Sequence, residues 1–175
     1  MANAKPKTLI QALALAACLA APAAQACEQY EVETLPLTVA VDDTRSYASL
    51  TQQAGGHPTF ATTQVRYTAD LWGCTLKVGY TNPRIYIAAE FAANACTRNE
   101  LLAHELRHLQ AYAAALSTLA ERARANLLTR PLADAVNDAL VAVEPQQHDI
   151  DTQAEYRRLM QACGNAIAQR TGLTP

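Results

Sequence analysis

Lysine is scarce in this chain of 175 residues, where only Lys5, Lys7 and Lys77 occur and the formal net charge is −2. No basic patch is present, whereas proteins that bind nucleic acids cluster Lys and Arg on one face. After residue 26 no apolar run is long enough to cross a membrane. The sequence therefore predicts no nucleic-acid partner and no transmembrane segment, and it gives no indication of an oligomeric state.

The first 26 residues have the features of a secretory signal peptide. A short basic start precedes an apolar run at 9–21, and small residues stand before Cys27, where a signal peptidase would cleave. We expect cleavage after Ala26 and a single periplasmic or secreted domain of residues 27–175. The alternative is a lipoprotein anchored through Cys18, but the stretch before Cys27 favours simple cleavage.

The expected mature chain contains an even set of four cysteines: Cys27, Cys74, Cys96 and Cys163. In an exported protein such a set predicts two disulfides. Three pairings are possible for four cysteines. We choose Cys27–Cys74 and Cys96–Cys163, of which the second would tie two helical regions together.

The hydrophobic pattern predicts an α+β fold. The half up to Phe91 is rich in β-branched and alternating residues, and the short spacing of its later segments suggests an antiparallel meander. Turn signals, among them Asn82-Pro83, separate these segments. The predicted strands are residues 30–35, 37–41, 64–71, 74–80 and 84–88.

The second half is predicted to be helical. Thr97 and Glu100 form a capping box for a helix that should continue to about Leu128. A shorter helix should cover residues 132–141, and Glu144-Pro145 should break the chain. A last helix is expected from Asp149 to just before Gly172, because glycine commonly ends a helix.

His104 and His108 are four residues apart on the long predicted helix. That spacing places both imidazoles on one face, where two nitrogens can bind one zinc ion at about 2.0–2.1 Å. Glu105 projects to a different side and can act as a general base without being a ligand. The three residues therefore predict a catalytic Zn²⁺ site with one ion per chain.

On these three residues the chain resembles the zincin metallopeptidases. The branch with a third ligand soon after the second histidine is excluded, because Ala111 and Ala114 occupy the positions concerned. The resemblance therefore implies the branch that takes a glutamate from a later helix, near a group of exported bacterial zinc-dependent proteases. It also implies that a strand edge above the helix holds extended substrate, for which the candidates are Ile85, Tyr86, Ile87 and Ala88.

The third ligand should come from the segment 146–156, since a catalytic zinc takes three protein ligands and keeps one open position. Glu155 is the first choice, because a carboxylate within a helix fits the glutamate branch. His148 and Asp151 are the alternates, and all three would share one face of a single helix. Tyr156 is a candidate donor to the oxyanion of the transition state.

The leading hypothesis is a zinc peptidase that hydrolyses peptide bonds in a peptide or protein substrate. One alternative is a zinc amidase that acts on cell-wall peptides with the same base. The other is an exported metal-binding module without activity, which would have a closed site of four protein ligands.

Overall fold

In the computed structural model, residues 27–125 and 131–174 are described, and they form a mixed α+β fold. The predicted signal peptide and the predicted end of the long helix near Leu128 lie outside these residues. The strands are β1 Glu31–Thr34, β2 Ala40–Asp42, β3 Ala61–Trp72 and β4 Thr75–Ile87. The helices are α1 Tyr47–Gln53, α2 Ala89–Ala92, α3 Ala95–Arg124, α4 Leu132–Val141, α5 Glu144–Ile150 and α6 Gln153–Thr171.

The sheet is organised around β4. One side of β4 pairs antiparallel with β3, and the other side pairs parallel with β1 and then β2. The predicted antiparallel meander is therefore only partly confirmed. Strands β1 and β2 pair with the same edge of β4, one after the other. The pairing is interrupted between them near Pro36, which has no backbone N–H to donate to the ladder. Helix α1, which the sequence pattern did not indicate, then leads the chain back to β3.

A β-bulge replaces the turn that was predicted at Asn82-Pro83. Gln64 pairs with Arg84 and Arg66 pairs with Thr81, so β4 has one residue more than β3 between these pairs. Asn82 has a φ of 49°, which an Asn tolerates better than most residues. The two predicted strands at 74–80 and 84–88 are consequently one continuous strand.

The bulge also shifts the alternation of side chains by one residue. Leu76, Val78 and Tyr80 before it and Ile85 and Ile87 after it are all buried. Both sets pack in clusters that include α3, although they differ in sequence parity. The extra residue thus keeps the whole length of β4 against one helix.

Helix α3 begins earlier than predicted. Its N-cap is Asn94, whose side chain accepts hydrogen bonds from the backbone N–H groups of Cys96 and Thr97. The predicted capping box is wrong because Thr97 already lies inside the helix. The Thr97 hydroxyl is buried and donates instead to the Phe91 carbonyl at 2.6 Å.

The C-terminal region differs from its prediction at one junction. Helix α4 has the predicted bounds, but Glu144-Pro145 begins α5 instead of breaking the chain, since proline is tolerated in a first helical turn. Asp151 ends α5, and Thr152 caps α6 by accepting from the Glu155 N–H. Helix α6 stops before Gly172, as predicted, with that glycine in the left-handed conformation.

Two disulfides link distant parts of the fold, and both predicted pairs are confirmed. Cys27–Cys74 joins the start of the described chain to the β3–β4 turn. Cys96–Cys163 joins the first turn of α3 to a kink in α6. Two such bonds are typical of proteins that fold in an oxidising compartment. No helix among the described residues is long and apolar enough to span a membrane.

The hydrophobic core consists of two clusters that meet α3 at different heights. The first contains Leu101 near the start of α3, and the second contains Leu116 and Leu119 farther along. Between them, the buried face of α3 carries His104, Glu105 and His108, which are 4%, 4% and 8% exposed. Polar groups are seldom so buried without a partner, so this gap in the core marks the candidate site.

Candidate metal and catalytic site

Three potential ligand atoms converge beside α3. They are Nε2 of His104, Nε2 of His108 and Oδ1 of Asp151. The two nitrogens are 3.2 Å apart, and each lies 3.1 Å from the carboxylate oxygen. Ligand atoms of a tetrahedral zinc with bonds of 2.0–2.1 Å would be about 3.3 Å apart. This His-His-Asp group could therefore hold a metal ion.

The other ring nitrogens have partners of their own. Nδ1 of His108 contacts the Gln147 side-chain oxygen, which can only accept, so this nitrogen is the natural N–H donor and its Nε2 is free to act as a ligand. Nδ1 of His104 lies 3.0 Å from the Arg107 Nη2, which can only donate, and 3.4 Å from Oε1 of Glu155, which can only accept as a carboxylate. The tautomer of His104 therefore follows from which of these two partners it engages. The three atoms that converge are close enough to share a proton or a metal ion.

The electrostatics of the group also favour a positive charge. Burial alone would raise the pKa of Asp151, but hydrogen bonds to His104 and His108 outweigh it and hold that pKa well below its usual range. Burial lowers the pKa of His108, yet its contacts with Asp151 and Gln147 produce a net rise. These shifts favour an ionised Asp151 carboxylate beside His108.

The short junction between α5 and α6 supplies the third potential ligand. Asp151 is the C-cap of α5, and the break in helix there separates it from His148 and Glu155. The prediction that these three share one helical face is therefore wrong. Asp151, an alternate at the sequence level, joins the two histidines, whereas Glu155 lies outside that group and His148 is exposed on α5.

Glu155 is occupied by other partners. Arg107 donates to its Oε1, and Arg158 binds both of its oxygens at 2.9 Å. The hydrogen bond from Arg158, reinforced by that from Arg107, lowers the pKa of Glu155 to about 2 in spite of partial burial. The Glu155 carboxylate and the Arg107 guanidinium thus both lie behind the His104 ring, at 3.4 Å and 3.0 Å from its Nδ1, where outer partners commonly orient a metal ligand.

Glu105 lies next to the ligand group with its carboxylate held from the sheet. The Thr63 hydroxyl on β3 lies 2.8 Å from Oε2 of Glu105 and 3.1 Å from its backbone oxygen. Burial raises the pKa of Glu105, and nearby His104 and the Thr63 hydrogen bond partly offset that rise. A buried carboxyl with a raised pKa is suited to accept and return a proton.

A cavity of about 310 Å³ opens over these groups. Tyr112 and Tyr156 form part of its wall together with Glu105 and the three ligand-group residues. Burial raises the pKa values of both tyrosines, which keeps their hydroxyls protonated as donors. The cavity thus brings together the predicted base, the predicted donor Tyr156 and the potential ligands.

The predicted substrate edge, residues 85–88, has no free backbone edge in the sheet. Ile85, Tyr86, Ile87 and Ala88 are all buried, and residues 84–86 pair with β2 while residues 61–64 of β3 cover the other side of this part of β4. This part of β4 is central and has no free backbone edge. Among the described residues, the open edge near the site belongs to β3, whose Ala61, Thr62 and Thr63 line the cavity.

The residues predicted for the site did not include Thr63, Gln147 or Arg107. Neither Thr63 nor Gln147 belongs to a recognisable motif, because each acts through a contact about forty residues away in sequence. The position of Arg107 within the motif was visible, but its partner Glu155 could only be identified after α5 and α6 were found to be separate helices.

Comparisons of the chain with protein-family models, with curated proteins and with solved structures find no match.

Proposed function

We propose that the chain is an exported zinc-dependent peptidase, with zinc held by His104, His108 and Asp151. The observation that carries the proposal is the triangle of two Nε2 atoms and one Oδ1 atom with sides of 3.1 to 3.2 Å. Two imidazoles and one carboxylate form a ligand set typical of catalytic zinc. When bound, the ion would polarise a substrate carbonyl and lower the pKa of a water molecule.

Glu105 is the general base in this proposal. Its carboxylate borders the same cavity as the ligands, and Thr63 fixes one of its oxygens at 2.8 Å. It would take a proton from the attacking water and return it to the leaving amine. Burial raises its pKa, which favours its acceptance of a proton from the water.

Tyr156 and Tyr112 are the candidate donors to the oxyanion. Both border the cavity, and a tyrosine hydroxyl is protonated at neutral pH and can donate. A donor that is already in place strengthens as negative charge develops on the substrate oxygen. The Tyr156 ring centre is 6.4 Å from that of His104, which places this tyrosine beside the ligand group.

A specific observation supports an open site over a closed, merely structural one. The segment 146–156 contributes only Asp151 to the ligand group. Gln147 and Glu155 are engaged with the Nδ1 atoms, and His148 is exposed. Three protein ligands facing a cavity leave the fourth position for substrate and water, as catalytic zinc requires.

The decisive experiment compares the protein with its Glu105→Gln variant. We expect both to bind one zinc per chain by elemental analysis, and the variant to lose at least about a thousandfold in peptide hydrolysis. A chelator should abolish wild-type activity, and added zinc should restore it. Substantial turnover by Glu105→Gln would remove Glu105 as the base. Turnover of cell-wall fragments but not of peptides would favour the amidase.

A further inference from the structure

A second cavity of about 620 Å³ adjoins the site cavity along β3. The two cavities share Thr63 and Tyr112 as common walls. Two charged side chains line the second cavity, and both are arginines: Arg66 on β3 and Arg84 on β4. We infer that this pair, called here the arginine subsite, binds a carboxylate of the substrate; the inference rests on the proposed peptidase function.

The arginines have unused donor capacity. Among the described residues, the Arg66 side chain forms no ion pair or hydrogen bond, and it is exposed. Arg84 contacts Asp42 through one nitrogen at 3.5 Å, which leaves most of its five N–H donors free. The hydroxyl of Thr81 and the side-chain amides of Gln64 and Asn82 add further polar groups to the wall of this cavity. Arginine binds carboxylates well because its planar fork matches both oxygens.

The two ends of this joined cleft carry different charged groups. The first cavity is bordered by Glu105, Asp151 and the two histidines that would hold zinc, whereas the charged side chains that line the second are the two arginines. An anionic group on the substrate is therefore attracted to the arginine end. This asymmetry would orient a peptide along the cleft.

The geometry of β3 gives the spacing. Thr63 marks the position of the proposed base, since it holds Glu105, and Arg66 is three residues farther along the strand, so the two side chains leave opposite faces of β3. A strand advances about 3.3 Å per residue, so the two positions are about 10 Å apart along the strand. An extended peptide beside β3 spans that distance with about three of its own residues. The subsite thus selects an acidic side chain, or a terminal carboxylate, about three positions from the scissile bond.

The test measures binding and cleavage separately. Capped decapeptides with one central Glu, Gln or Lys are bound to the zinc-loaded Glu105→Gln protein, and their affinities are compared. We expect the Glu peptide to bind about five- to tenfold more tightly than the Gln peptide, with the ratio falling as salt rises. Arg66→Gln should bring the ratio close to one, and Arg66→Glu should reverse the preference in favour of Lys. Arg170→Gln, on the last turn of α6, is the matched control and should preserve the preference.

Equal affinities for the Glu and Gln peptides, or a preference that survives both Arg66 variants, would overturn the subsite. Cleavage by the wild-type protein is followed by mass spectrometry, and we expect the cut about three residues from the Glu. If no peptide is cleaved while the binding preference persists, the peptidase proposal fails and the carboxylate subsite stands. If peptides are cleaved without regard to the Glu, the subsite fails and the peptidase proposal stands.

Discussion

The Thr63 hydroxyl lies 2.8 Å from a carboxylate oxygen of Glu105, so a sheet residue holds the proposed base on helix α3. We predict that Thr63→Val lowers kcat by about ten- to a hundredfold, because a hydrogen bond to a buried charged group is lost. Zinc content should stay at one ion per chain. The measurement is steady-state hydrolysis of a peptide substrate together with elemental analysis.

Thr63→Ser provides the control for that prediction, since it restores the hydroxyl without the methyl group. It should recover most of the activity lost in Thr63→Val. Equal losses in both variants would mean that the methyl packing of Thr63, and not its hydrogen bond to Glu105, supports turnover.

The metal ligands can be ranked by substitution. Asp151→Asn removes the charge of a proposed ligand, whereas Glu155→Gln changes a carboxylate that orients His104 from behind. We expect Glu155→Gln to weaken zinc binding by about ten- to a hundredfold, as outer partners of ligating histidines typically do, and Asp151→Asn to weaken it more. Competition with a zinc-sensitive dye measures both affinities. The opposite ranking would restore Glu155 as the ligand that the sequence first indicated.

How far the sequence could predict this site depends on whether each contact is local. His104 and His108 face the same way because helical geometry fixes residues at i and i+4. The choice between Asp151 and Glu155 was not local. It depended on the break between α5 and α6, where Thr152 caps a new helix, and on Arg107 and Arg158 already occupying Glu155.

Pairing within the sheet also depends on contacts that are not local in sequence. Strand positions followed from β-branched and alternating residues, but direction and partner did not. The Asn82-Pro83 pair is compatible with a turn or with a bulge, and only its pairing with β3 decides between them. Because β4 continues through this bulge, it is a central strand with partners on both sides, and the open edge belongs to β3.

Glu155 should make the free energy of unfolding of the metal-free protein depend on pH in the acidic range. Its pKa is about 2 in the folded protein and 4.5 ordinarily. A lowered folded pKa contributes stability that is complete above about pH 4.5 and is lost as the pH falls towards 2. Relative to Glu155→Gln, the wild type should be more stable by about 2 kcal/mol at pH 7. This free energy is smaller than the pKa shift alone would give, because Arg107 and Arg158 are nearly half exposed and solvent screens their charges.

Urea unfolding of both metal-free proteins between pH 7 and pH 2 measures this dependence. The difference between their free energies of unfolding should be constant above about pH 5 and should shrink below it. A difference that does not change down to pH 2 would show that the arginines do not stabilise the ionised form of Glu155.

The two disulfides provide a matched pair for testing how the site is held. They close loops of 47 and 67 residues, so the chain-entropy model assigns nearly equal stabilisation to both, about 4 kcal/mol each. Only Cys96–Cys163 joins α3, which carries His104 and His108, to α6, which carries Glu155.

Replacing Cys96 and Cys163 with serine should therefore lower both the free energy of unfolding and the zinc affinity. Replacing Cys27 and Cys74 should lower the stability by a similar amount and leave the zinc affinity of the folded protein within about twofold, because that bond ties the chain start to the β3–β4 turn. Zinc affinities are to be compared at a temperature where both variants are folded by circular dichroism. Equal losses of affinity would mean that global stability, and not the link between α3 and α6, maintains the geometry of the ligands.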